Sequence, residues 1–155
     1  MKLTENFSLK EMTQSQTALK NNIDNEPNAE QIENLRQLCQ TILQPIREDF
    51  QLPIKITSGF RSPELCEIIG SKPTSQHCAN ECAAADFEIP GVDNRELALY
   101  IKNELTYDQL ILEFYKDNEP TSGWIHCSYS TDHNRGQSLR AQRIDGKVTY
   151  TPWLE

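Results

Sequence analysis

The chain has 155 residues, 37% hydrophobic and 25% charged, with a formal net charge of -8. That length suits one domain with a usable core, spanning 1–155. The negative balance argues against nucleic acid as a partner, since phosphate binding needs a basic face. No run of about 18 apolar residues is present to span a bilayer.

Residues 1–6 lack the apolar stretch of a secretory signal, so the chain is expected to be made and held in the cytoplasm. Ser8 with Glu11 three positions on has the pattern of a capping box for a short helix. Over 30–50, Ile32, Leu35, Leu38, Cys39, Ile42, Leu43, Ile46 and Phe50 recur at spacings of three and four. They predict one apolar helical stripe, kinked or cut short at Pro45.

The period then changes. Residues 54–58 alternate like a strand, with Gly59 as punctuation. Ser62-Pro63-Glu64 predicts a helix start and Gly70 its end. A strand is expected over 84–89, stopped by Pro90-Gly91. A helix opened by Asp93 and Glu96 should run to about 105. Residues 109–115 and 124–130 read as a hairpin, and 147–150 as an edge strand after the turn at Asp145-Gly146. Helices first and strands later predict an α+β fold, with helices packed on a mainly antiparallel sheet.

The five cysteines show no C-x-x-C pairing and no zinc-finger spacing. They are expected to be reduced thiols packed as small hydrophobes. A Cys78–Cys82 disulfide is the alternative, disfavoured by a cytoplasmic setting.

Chemistry concentrates around two of the three histidines. His77 lies in Ser75-Gln76-His77-Cys78, with Asp86 downstream in Ala85-Asp86-Phe87, and His126 lies in Trp124-Ile125-His126-Cys127. His133 falls in a polar loop beyond. Two imidazoles and a carboxylate suffice for a catalytic zinc ion, leaving one position for water. Each residue also has an ordinary reading. A lone His is commonly a hydrogen-bonded structural residue, and a lone Asp a turn or a cap.

A zinc hydrolase also needs a base. Glu113 is a charge inside the apolar run Leu110-Ile111-Leu112-Glu113-Phe114. A hairpin centred between Glu119 and Pro120 places it opposite His126, with Cβ atoms about 5 Å apart. Its ordinary reading is an outward-facing strand residue or a partner of Arg61. Arg61, at a strand-to-helix turn, can clamp a substrate carboxylate or steady an oxyanion. As an isolated residue it is simply a surface arginine.

Taken together, Ser58-Gly59-Phe60-Arg61-Ser62-Pro63, Ser75-Gln76-His77, Ala85-Asp86, Asp108-Gln109-Leu110-Ile111-Leu112-Glu113 and Trp124-Ile125-His126-Cys127-Ser128 resemble the zinc D-Ala-D-Ala carboxypeptidase family. The branch they resemble is the small peptidase domains of phage endolysins and related murein peptidases. Asn6-Phe7-Ser8-Leu9-Lys10-Glu11-Met12, Leu43-Gln44-Pro45-Ile46-Arg47 and Asn134-Arg135-Gly136 extend the likeness over most of the chain.

The resemblance implies a monomeric metallopeptidase that cuts amide bonds in peptidoglycan stem peptides or cross-links. It would be released from the cytoplasm to act in the periplasm or cell wall. Zinc would be held by His77, Asp86 and His126. Arg61 would take the family's transition-state role, and Ser75 would lie beside the site against substrate. Two departures stand out. Eight residues separate His77 from Asp86 where the family commonly has six, which makes Glu81 a rival third ligand. Gly123 stands three before His126, where several branches carry the catalytic acid. Glu113 therefore becomes the candidate base. The alternative is a non-catalytic cell-wall-binding or virion-assembly module of the same fold.

Overall fold

The computed structural model describes residues 1–72 and 75–153. Two short helices, α1 (Leu9–Thr13) and α2 (Gln16–Lys20), open the chain. The Ser8 hydroxyl accepts the Glu11 N–H at the start of α1, satisfying an amide that has no partner within the helix. The long apolar stripe becomes α3 (Ala29–Leu38), a π-helical turn (Cys39–Leu43) and α4 (Gln44–Phe50). Pro45 therefore does not end the helix. Its missing N–H falls just after the wide turn, where the Gln44 N–H reaches back to the Cys39 carbonyl. A π-turn absorbs the defect without breaking the stripe, and Leu35, Leu38, Ile42, Leu43 and Ile46 are fully buried.

Strand β1 (Lys55–Ser58) and helix α5 (Pro63–Ile69) follow as expected. Ser62 caps the Leu65 N–H, and Gly70 ends α5 in the left-handed region. A 3₁₀ turn (Gln76–Cys78) precedes β2 (Cys82–Glu88), which starts two residues earlier than the sequence suggests. Helix α6 (Asn94–Glu104) leads to β3 (Gln109–Glu113) and β4 (Trp124–Ser130). Strand β5 (Gln137–Ile144) is an addition to the expected elements, because its polar residues hide any apolar alternation. It pairs with β6 (Lys147–Pro152) across Asp145 and Gly146, both at positive φ as a tight hairpin requires.

The six strands form one sheet in the order β1-β2-β4-β3-β5-β6. Every pairing is antiparallel except β3 with β5. The result is the expected α+β arrangement. Ala83, Ala85, Phe87, Leu110, Leu112, Ile125 and Cys127 lie in one apolar cluster with residues of α3, the π-turn and α6. Alternation along each strand sends Asp86, Glu113 and His126 to the opposite face. Among the described residues no helix is long and apolar enough to cross a membrane.

All five cysteines are free thiols. Burial pushes Cys39 up to about 12, and burial with the adjoining Cys66 does the same for Cys78. These thiols pack as small apolar groups. The Sγ atoms of Cys66 and Cys78 lie 3.2 Å apart.

Gly123 explains one of the departures noted above. It has φ +66°, and a Cβ there would overlap the Glu113 carbonyl oxygen and crowd Phe114 and Tyr115 backbone atoms. No side chain fits at this position. Gly123→Ala should lower the urea midpoint by the equivalent of about 1–3 kcal/mol for overpacking, with left-handed strain added. Gly146→Ala, at φ +78° with nothing near its Cβ position, should carry the strain alone. Equal midpoint shifts for the two variants, at constant m, would show that the close approach at Gly123 costs nothing.

Candidate metal centre

The centre is built around Asp86. It pairs directly with His126 in the β2–β4 register, so both side chains leave the same face of the sheet. His126 Nδ1 lies 3.0 Å from Asp86 Oδ1. His77 arrives from the 3₁₀ turn with Nε2 3.5 Å from the same oxygen. Donor atoms of His77, Asp86 and His126 all fall within 4.8 Å of one another, a group able to hold a metal ion. The three are well shielded, with side-chain exposures of 5%, 13% and 12%. Burial by itself raises the Asp86 pKa. The two imidazoles outweigh it and hold the carboxyl well below the usual carboxylate range.

The nitrogens facing away from this cluster also have partners. His77 Nδ1 lies 2.7 Å from the Gly59 carbonyl oxygen. His126 Nε2 lies 3.3 Å from Gln76 Oε1. Outer hydrogen-bond acceptors of this kind are what metal-ligating imidazoles normally have, and the donor set suits zinc.

His77 is held at its backbone too. Its N–H donates to Ser75 Oγ at 3.2 Å, and its carbonyl accepts the Arg61 N–H at 2.8 Å. Ser75 thus caps the turn that carries His77, and it also lines an adjoining cavity. The segment from Gly59 to Arg61 is pinned from the other side. The Phe60 N–H donates to the Met12 carbonyl, and Asn25 bridges Thr13, Phe60 and Ser62. A Cβ at Gly59 would overlap the Met12 carbonyl oxygen, so only glycine permits this approach.

Eight residues between His77 and Asp86 do not separate them. Ala79 takes a left-handed conformation, which turns the chain back toward β2. Gln31 and Asn34 of α3 bond the Cys78, Ala79 and Asn80 carbonyls and so hold the loop. Glu81 is exposed and lines the adjoining cavity, outside the three-residue group.

Arg61 faces Asp86, with Nη2 3.6 Å from Oδ2, and its Nε donates to Ser58 Oγ at 3.1 Å. Glu113 reaches the same face by a different register from the one expected. It pairs with Trp124, and Ile111 pairs with His126, because the hairpin centres one residue earlier. Moving an antiparallel turn by one residue shifts the partner by two, and a shift of two preserves the face. Burial, then the Asp86 charge, raise the Glu113 pKa. His126, the Trp124 side chain and Arg61 oppose that rise.

Part of the arrangement is not legible from spacing. Gln76 donates its Nε2–H to Asp108 Oδ2 at 2.7 Å. Arg135 grips Asp108 with two parallel hydrogen bonds of 3.0 and 2.8 Å. Gln76, Asp108 and Arg135 each fall in a segment that carries the family likeness, but the partners of Gln76 are 32 and 50 residues away and spacing does not join them. A cavity of about 770 Å³ opens beside these groups, lined by Ser75, Gln76, Glu81, Asp108, His133 and Arg135 among others. His133 stands here, apart from the other two histidines.

No curated protein matches the chain. Residues 5–128 match the family model described as Peptidase M15, whose members are zinc-dependent. The matched span takes in Arg61, His77, Asp86, Glu113 and His126 in order, and the chain belongs to the M15 peptidases, the zinc D-Ala-D-Ala carboxypeptidase family.

Proposed function

We propose that this chain is a single-domain, monomeric zinc peptidase that hydrolyses amide bonds in peptidoglycan stem peptides or cross-links, in the manner of an endolysin. The observation that carries this reading is the meeting of His77, Asp86 and His126 on the face that also presents Arg61 and Glu113. His77, Asp86 and His126 would hold the ion. Zinc, when bound, supplies Lewis-acid polarisation of a carbonyl and a lowered water pKa.

The chain's own groups do the rest. Glu113 accepts a proton from the attacking water and returns it to the leaving amine. Its raised pKa suits a group that must hold that proton in transit. Arg61, braced by Ser58 and Ser71, steadies developing negative charge or holds a substrate carboxylate. Ser75 lines the cavity beside the centre, where part of the stem peptide would lie. Action in the periplasm or cell wall, after synthesis in the cytoplasm, follows from the substrate class. A purely binding module has less support, because the closed slot at Gly123 is matched by a carboxylate at Glu113 on the reactive face.

The reading is tested by incubating the protein with purified peptidoglycan, with and without a chelator, and mapping released muropeptides by mass spectrometry. New amine termini that vanish with chelator and return with zinc are expected. Absence of any cleavage by zinc-replete protein would overturn it.

Metal content gives a second test. Reconstituted protein should hold one equivalent of zinc. His77→Ala, Asp86→Ala and His126→Ala should each lose most of it, while Glu81→Ala should keep it. Loss in Glu81→Ala but not in Asp86→Ala would move the third ligand to the loop.

Glu113→Gln is nearly isosteric and cannot accept the proton. It should keep zinc and lose about 10²–10⁴-fold in kcat. Near-normal turnover with zinc bound would assign the base elsewhere.

Arg61→Lys keeps the charge but not the planar fork. If Arg61 acts in the transition state, kcat should fall with little change in KM on a defined stem peptide. If it holds substrate, KM should rise instead. Wild-type values for both Arg61→Lys and Arg61→Ala would remove Arg61 from the mechanism.

A further inference from the structure

Asp108 is the start of a directional chain of hydrogen bonds that ends at His126. A carboxylate only accepts. Asp108 accepts from the Arg135 backbone N–H and guanidinium, and these bonds, ahead of an opposing burial effect, keep it charged with its pKa below the ordinary value. Gln76 must therefore turn its amide nitrogen toward Asp108, at 2.7 Å. That leaves Gln76 Oε1, also an acceptor, facing His126 Nε2 at 3.3 Å. His126 Nε2 can satisfy that oxygen only by carrying a proton. A metal that took the place of the Nδ1 proton accepted by Asp86 would then find the Nδ1 lone pair available, because the ring keeps its proton on Nε2. Nδ1 is the nitrogen facing Asp86 and His77.

His77 is treated the same way by simpler means. The Gly59 carbonyl accepts from Nδ1 and leaves Nε2 to face the centre.

We infer that Gln76 is a positioning residue for the metal. Oriented by Asp108 and Arg135, it fixes His126 in the tautomer and ring rotation that present Nδ1 as a ligand. The inference rests on the metal reading proposed above and adds to it a dependence on three residues outside the donor set. Arg135 lies beyond the span matched by the family model. Gln76, Asp108 and Arg135 also line the adjoining cavity, so this face of the network is open to solvent and substrate.

The test is zinc affinity of the metal-free chain, measured by competition with a chromogenic chelator. Gln76→Met keeps the length of the side chain and removes its acceptor. It should weaken zinc binding about 10–100-fold, the usual loss for an outer-shell partner. Cooperative unfolding of the metal-free variant checks that it folds. A local structural role would not move a second readout, the slowly exchanging His126 Nε2–H resonance in ¹⁵N-labelled zinc-loaded protein. That signal should be present in wild type and lost in Gln76→Met. The double variant Gln76→Glu with Asp108→Asn rebuilds the direction of the chain. A carboxylate at position 76 accepts both from His126 and from the amide introduced at position 108. The double variant should recover affinity relative to Gln76→Met. Unchanged affinity in Gln76→Met, with wild type binding one equivalent, overturns the inference alone. Failure of wild type to bind zinc at all would overturn the metal reading beneath it.

Discussion

A charged carboxylate has been carried onto a shielded face of a sheet, and the rest of the centre is organised around it. Asp86 sits in a strand whose neighbours are Ala83, Ala84, Ala85 and Phe87, all buried. Burying a charge there without partners would cost several kcal/mol. Three groups from three other segments offset that cost: His126 across the β2–β4 ladder, His77 from the turn before β2, and Arg61 from the turn after β1. The same convergence that stabilises the anion places nitrogen and oxygen donors close enough to share an ion. A metal that bound this group only in the folded chain would also stabilise the fold.

The sheet makes this possible by keeping its two faces distinct. One face packs its alanines, leucines and Phe87 against the helices. The small residues at Ala83 and Ala85 let α3 lie close to β2. From that position Gln31 and Asn34 secure the loop between His77 and Asp86. The other face presents Asp86, His126 and Glu113. Both close backbone approaches, Gly59 to Met12 and Gly123 to Glu113, exclude a side chain and so fix segments that bear site residues. Precision at the centre comes from backbone contacts of this kind as much as from the polar side chains.

Much of this architecture is legible from spacing alone. The helix stripe over 30–50, the Ser62 and Gly70 boundaries of α5, and the hairpin containing Glu113 and His126 all announce themselves by local period and punctuation. The hairpin register differs by two residues from the one that spacing suggests, because the turn between Glu113 and Trp124 is irregular. Phe114 and Asn118 adopt left-handed conformations that no short motif specifies. The face of Glu113 is nonetheless the expected one, since strand side chains alternate with period two and an even slip leaves them where they were. Strand β5 escapes a reading by period because residues such as Gln137, Arg140, Gln142 and Arg143 show no apolar alternation. Its place is set by pairing to β3 and β6, which is not a local property.

The sequence by itself determined which chemistry the chain could hold: two imidazoles, one carboxylate, one guanidinium and a glutamate in an apolar strand. Residue identity and short-range period carry that much, because ligand chemistry and strand alternation are local. Only the tertiary structure decided that Asp86 rather than Glu81 meets the histidines, that Gly123 has no room for a side chain, and that Gln76 stands between His126 and Asp108. Those outcomes depend on contacts between residues dozens of positions apart, on a left-handed turn at Ala79 and on backbone approaches of a few ångströms. Such quantities exist only once the core has packed and the ladders have chosen their register.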